Sequence, residues 1–87
     1  MSDERLNDIV DEFRTAVEKL QLSDENRGKI TELLGALEKK LEAPDDEEHH
    51  HTLVEHVKDS YNRFKAEHAD ATVILNRILH SLGEAGI

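Results

Sequence analysis

Cysteine is absent from this sequence of 87 residues, and aromatic residues make up only 3% of it. Without cysteine the chain forms no disulfide, and it has no thiolate to act as a nucleophile or zinc ligand. A domain of this length buries only about 60–65% of its unfolded surface. Because no crosslink adds to that stability, we expect the protein to self-associate.

Basic residues are few as well: 11 lysines and arginines stand against 20 acidic residues, which gives a formal net charge of −9. Binding to nucleic acid or to an anionic lipid surface requires a basic patch. The densest basic segment here is the pair Lys39-Lys40. The composition therefore predicts no nucleic-acid partner.

Long apolar runs are also missing, since the longest is Val73-Ile74-Leu75. A membrane-spanning helix needs roughly 18–20 apolar residues. Residues 1–5 lack the basic and apolar regions of a secretory signal. The sequence thus predicts a cytoplasmic protein without a membrane partner.

The apolar residues that are present follow a helical spacing, and no segment shows the alternation of a strand. Helix 1 is predicted over about 3–21 with Ser2 as N-cap, and helix 2 over about 24–42 with Ser23 as N-cap. Their apolar stripes, spaced by three and four residues, are Leu6, Val10, Phe13, Val17 and Leu20, then Ile30, Leu34, Leu37 and Leu41, with Leu33 alongside. Pro44 then ends a predicted antiparallel hairpin of residues 1–43.

Residues 44–87 allow two interpretations. Helices over about 46–67 and 70–84, separated at His68-Ala69-Asp70 with Asp70 as cap, would form a second hairpin. The apolar stripe nevertheless continues without interruption from Val54 to Leu82, so one long helix is also permitted. The two hairpins of matched length favour the break.

Together these patterns predict an all-α fold in a single domain, residues 1–87. Two separate hairpins would form an up-down four-helix bundle. A long third helix would instead require a coiled-coil-like dimer to cover its apolar stripe.

The C-terminal segment begins at His68, continues through Leu75, Ile78 and Leu82, and ends in Gly86-Ile87. With this pattern it resembles the bacterial "domain of unknown function 4404" family of small acidic helical proteins. In that family a histidine, usually followed by proline, precedes a leucine-rich helix that ends in Gly-Ile. The matching residues are His68, Leu75, Ile78, Leu82, Gly86 and Ile87, and Leu53-Val54-Glu55 and Phe64 fit the family's third helix. Ala69 stands where proline is usual. The resemblance covers about the last 35 residues closely and the first hairpin in pattern, and it implies a helical fold without an established activity.

One cluster could bind a metal. The segment Asp45-Asp46-Glu47-Glu48-His49-His50-His51 is followed one turn later by Glu55 and His56. Carboxylates and imidazoles four residues apart share one helix face and can ligate zinc, nickel or copper. The candidate ligands are Glu47, Glu48, His51, Glu55 and His56, although acidic residues are also expected in a first helical turn for their interaction with the helix dipole.

Six histidines in an acidic chain also suggest a pH response. His68 is the main candidate because it occupies a heptad position. The alternative is a structural histidine at the edge of the core, which fixes the joint between helices 3 and 4 by hydrogen bonding.

The sequence contains no phosphate-binding loop, nucleophile elbow or HExxH motif. It predicts no catalytic residue and no cofactor, and we therefore expect a protein that is not an enzyme. The preferred function is a protein–protein interaction or structural module that forms a homodimer, and another protein is a further candidate partner. Its predicted interaction surface lies on helix 4 and comprises Ile74, Leu75, Ile78, Leu79 and Leu82. The alternatives are a metal- or pH-responsive protein and an acidic mimic that occupies a basic site on a partner.

Overall fold

The computed structural model describes the backbone of residues 2–83 and the side chains of residues 6–83. It contains four helices: α1 (Ser2–Glu18), α2 (Asp24–Glu42), α3 (Glu47–Phe64) and α4 (Ala69–Ser81). No strand occurs between residues 2 and 83. The prediction of an all-α fold is therefore confirmed.

Two of the helix starts are set by side chains that cap the first turn. Ser23 accepts a hydrogen bond from the backbone N–H of Asn26 at 3.2 Å, and Asp46 accepts one from the N–H of His49 at 3.0 Å. These bonds satisfy N–H groups that have no partner within the helix. The cap at Ser23 was predicted. Ser2 was also predicted as an N-cap, but it is the first residue of α1 and not the residue before the helix.

The chain breaks between α3 and α4, so the interpretation as one long helix is wrong. The N–H of His68 donates to the carbonyl of Phe64 at 2.8 Å, and the carbonyl of His68 accepts from Ala71 and Thr72. His68, rather than Asp70, is the N-cap residue, and Asp70 lies in the first turn of α4. The predicted ends of helices 3 and 4, at residues 67 and 84, are each three residues too late, because α3 ends at Phe64 and α4 at Ser81. Gly86 and Ile87 lie outside the described residues.

The four helices form an up-down bundle within one chain. Helix α1 packs against α2 and α4, and α3 packs against the same two helices, whereas the backbones of the diagonal pairs stay apart in the described part of the chain. The bundle measures 34 × 20 × 20 Å. Because α1 also packs against α4, the start of the first helix lies beside the end of the last.

The core consists of apolar side chains from all four helices. The buried ones among the described residues are Leu6, Ile9, Val10, Phe13, Val17, Ile30, Leu33, Leu37, Leu53, Val54, Val57, Phe64, Ala71, Leu75, Ile78, Leu79 and Leu82. On α2 the apolar stripe is rotated from its predicted position, because Leu33 is fully buried whereas Leu34 and Leu41 are only half-buried. Leucine, isoleucine and valine thus supply most of the core volume.

Candidate functional site

The predicted metal cluster lies on the first turns of α3, where its side chains face solvent. Glu47, Glu48, His51 and Glu55 are exposed, and His56 is half-buried. Among the described side chains, those of residues 6–83, no group of three or more histidine, aspartate or glutamate residues could hold a metal ion. One helix presents only neighbours three or four residues apart on the same side, and no other helix adds a further ligand. The structure therefore does not assemble the predicted metal site.

Two histidines of this segment face the bundle instead. His49 Nε2 lies 2.8 Å from the carbonyl oxygen of Ala36, which ties α3 to α2. His50 is half-buried, and its Nδ1 atom is buried without a hydrogen-bond partner. The sequence indicated an exposed polar segment here and gave no signal for the bond to Ala36, because that bond depends on how α2 and α3 pack.

His50 lines an open cavity of about 400 Å³ at the end of the bundle near Pro44. The other lining residues are Leu6, Lys40, Pro44, Asp45, Ser81 and Leu82. Ser81 Oγ is also buried without a partner, and Lys40 Nζ donates to the carbonyl of Pro44 at 2.7 Å. Polar atoms in such a position can hydrogen-bond to water.

His68 occupies the joint between α3 and α4. It is half-buried, and its ring lies 5.8 Å from the ring of Phe64, between centroids, at an interplanar angle of 58°. Its side chain makes no capping hydrogen bond to α4. His68 therefore shapes the joint through its backbone hydrogen bonds and its packing on Phe64, not through a side-chain hydrogen bond of the kind we expected.

The interaction surface predicted on helix 4 is mostly consumed by the core. Leu75, Ile78 and Leu79 are fully buried and Leu82 is 9% exposed, so only Ile74, at the margin of the core, remains half-exposed. The reason is that α4 packs against both α1 and α3 within one chain. The leftover apolar surface is consequently smaller than predicted and lies elsewhere.

That surface is found along α1 and the outer side of α4. Val73, next to Ile74, is 60% exposed. Among the described residues it is the only large hydrophobic residue that is exposed. Beside it an open groove between α1 and α4 is lined by Asp11, Glu12, Thr15, Ala16, Lys19, Ile74 and Arg77. Arg77 Nη1 lies 2.6 Å from Glu12 Oε2 and joins the two helices across the groove.

We call this surface the α1–α4 face. It comprises Glu12, Thr15 and Ala16 of α1 and Lys19 just after the end of α1, with Asp70, Val73, Ile74 and Arg77 of α4. Four of these residues are charged and exposed, and the others are small or apolar. The face can therefore contact another protein through apolar groups at its centre and charged groups at its ends.

Comparison with known protein families places the chain. The family model described as Domain of unknown function (DUF4404) matches residues 4–87. The chain belongs to this family. The match includes the first hairpin, which the sequence resembled only in pattern. No curated protein and no solved structure matches the chain.

The description of the DUF4404 family names no activity. No helix between residues 2 and 83 combines the length and apolar character needed to cross a membrane. Sequence reasoning missed Val73, although a signal was present. Val73 is an apolar residue that falls off the stripe of Ala71, Leu75 and Ile78, and an off-stripe apolar residue on an amphipathic helix faces outwards.

Proposed function

We propose that this protein is a non-enzymatic interaction module that forms a homodimer through its α1–α4 face. The exposure of Val73 beside the half-buried Ile74 carries the proposal, because these residues leave apolar surface in contact with water. Burying such surface against a partner is favourable by about 25 cal/mol per Å².

The local charges of the face are compatible with a second copy. The chain as a whole carries a formal net charge of −9, which opposes self-association. On the α1–α4 face, however, Glu12 and Asp70 are balanced by Lys19 and Arg77, and Asp11, which also lines the groove, is paired with Arg14. Two such faces can approach each other without the repulsion that opposes contact elsewhere on the molecule.

The size of the face sets the expected strength. It is built from two short helices, α1 with 17 residues and α4 with 13. Interfaces of limited area fall in the weak and transient class. We therefore expect a dissociation constant on the order of micromolar or weaker.

The charge distribution gives no comparable support to an acidic mimic, which needs acid concentrated on one face. Arg14 pairs with both Asp11 and Glu38, and Arg77 pairs with Glu12. Basic and acidic side chains are thus interspersed on the described surface.

Sedimentation velocity from low micromolar to millimolar concentration tests the proposal. We expect the weight-average mass to rise from monomer towards dimer, and the substitution Val73→Lys to raise the dissociation constant about tenfold, since each copy loses apolar burial. Asn62→Lys, an exposed site on α3, adds the same charge and serves as the matched control. A monomeric mass throughout the range would refute the proposed function.

A further inference from the structure

We infer that the charged corners of the α1–α4 face make it complementary to a second copy of itself, so that two chains pair about a two-fold axis crossing α1 and α4. In this arrangement Lys19 of one copy lies opposite Glu12 of the other, and Asp70 lies opposite Arg77. The inference rests on the proposed self-association and specifies its geometry and the residues that determine it.

The spacing of the charges on each helix is the first step. Asp70 and Arg77 are seven residues apart on α4, and Glu12 of α1 is seven residues before Lys19. Lys19 follows the last residue of α1 and continues its final turn, because its N–H donates to the carbonyl of Ala16 at 3.2 Å. Seven residues correspond to two helical turns, so each pair lies on one side of its helix with about 10 Å between the two positions. Each helix thus presents one negative and one positive charge in line.

The relative height of the two helices is the second step. The ion pair between Glu12 and Arg77 fixes these residues at the same level of the bundle. Because α1 and α4 run in opposite directions, Lys19 is then level with Asp70. The four exposed side chains stand at the corners of a rectangle, and their signs alternate around it.

A rectangle of alternating charges is self-complementary. Rotation by 180° about a line across its middle exchanges the two ends, which brings each charge opposite one of the other sign. Interfaces of this kind are isologous, since the same patch is used by both partners. Electrostatic complementarity of this type sets register and excludes wrong pairings.

The central residues favour an axis that crosses the helices over one that runs along them. A crossing axis places α1 against the second copy's α1 at Thr15 and Ala16, whose small side chains allow close approach. It also places Ile74 and Val73 against the same apolar residues of the second copy. An axis along the helices would instead set these apolar residues against Thr15 and Ala16, which buries less apolar surface.

Charge reversal and mixing test the arrangement. In a homodimer of the Lys19→Glu variant, two pairs of negative charges face each other. In a homodimer of the Glu12→Lys variant, two pairs of positive charges do so. We expect each variant alone to dimerise at least about tenfold more weakly than the wild type. In the mixed dimer of an equimolar mixture, the introduced Glu at position 19 meets the introduced Lys at position 12, and the native Glu12 meets the native Lys19. Both contacts then join opposite charges, and we expect the mixture to recover wild-type affinity.

Controls separate this inference from the proposed function. Arg27→Glu on α2 changes net charge as much as Lys19→Glu, lies off the face, and should leave dimerisation unchanged. Thermal unfolding of each variant reports whether the bundle remains folded. Asp70→Lys should not rescue Lys19→Glu, because those positions meet only about an axis along the helices.

The weight-average mass of the mixture, measured by sedimentation, shows whether the two variants together recover wild-type dimerisation. Recovery with Glu12→Lys supports the inference. A wild-type dimer with no recovery in that mixture, or recovery only with Asp70→Lys, would overturn the inference and leave the proposed self-association standing. A wild type that stays monomeric would remove both.

Discussion

At the scale of single residues, the described side chains differ in whether their polar atoms find a partner. Thr72, a buried residue of α4, donates its hydroxyl to the carbonyl of Ala69 at 2.7 Å. Ser81, later on the same helix, buries its hydroxyl oxygen without a partner. Losing a satisfied hydrogen bond lowers stability, whereas removing an unsatisfied buried group costs little or even stabilises.

Ser81→Ala should therefore leave the free energy of unfolding unchanged or raise it. Thr72→Val keeps the side-chain shape but loses the bond to Ala69, and should lower that free energy by about 1 kcal/mol. Urea denaturation followed by far-UV circular dichroism measures both. Equal losses in the two variants would show that the Ser81 hydroxyl has a partner after all.

His49 illustrates a limit of reasoning from single residues. In the sequence it belongs to a run of acidic residues and histidines, for which metal ligation was the chemical hypothesis. In the fold, its ring nitrogen meets the carbonyl of Ala36. Its role follows from the position of α2, which no local pattern contains.

At the scale of secondary-structure elements, the apolar spacing predicted all four helices, and their ends depended on backbone geometry. Helix α2 has the predicted bounds, Asp24–Glu42, because Ser23 caps its start and Pro44 follows its end. Helix α1 ends at Glu18 rather than near 21, since Lys19 and Leu20 already bond three residues back to Ala16 and Val17. A heptad pattern continues through such a turn and gives no warning of it.

The joint between α3 and α4 was predictable only as the preferred of two alternatives. The apolar stripe continues through His68 in phase, so spacing alone permits a straight helix. What ends α3 at Phe64 is tertiary packing: α4 must return to contact both α1 and α3. The interaction surface on helix 4 was predicted less well. Leu75 and Ile78 are buried because α4 folds back onto α1 and α3, and the sequence pattern does not contain that packing.

The joint gives a prediction at this scale. Ala69 is the first residue of α4, a position where proline is favoured because the N–H has no helical partner. Ala69→Pro should leave the free energy of unfolding unchanged or raise it by about 0.4–1 kcal/mol. Val73→Pro, inside the same helix, should lower it by about 3 kcal/mol or more.

Chemical denaturation of the two proline variants at low protein concentration provides the comparison. A loss at Ala69 as large as that at Val73 would mean that residue 69 lies within a continuous helix. That outcome would contradict the break between α3 and α4.

At the scale of the whole molecule, one chain is sufficient to complete the bundle. Within residues 2–83 the helices already cover one another's apolar stripes. A dimer would have been needed for this only if helices 3 and 4 formed one long helix. Self-association is therefore proposed as the function of the remaining α1–α4 face and not as a requirement of folding.

The absence of cysteine makes a direct test of this account possible, because a single introduced thiol is the only one in the chain. Helices pack about 8–10 Å apart, and a Cα lies about 2.3 Å from its helix axis. Two copies of residue 15 that face each other across a crossing axis are thus within reach of a disulfide, which spans about 4.4–6.8 Å between Cα atoms.

Thr15→Cys and, as control, Glu32→Cys on the exposed side of α2 would be oxidised under identical conditions, and the covalent dimer followed by non-reducing electrophoresis. Pairing through the α1–α4 face predicts much faster crosslinking at position 15 than at position 32, with the crosslinked protein retaining its helical circular dichroism. Crosslinking at the same slow rate at both positions would contradict pairing through the α1–α4 face.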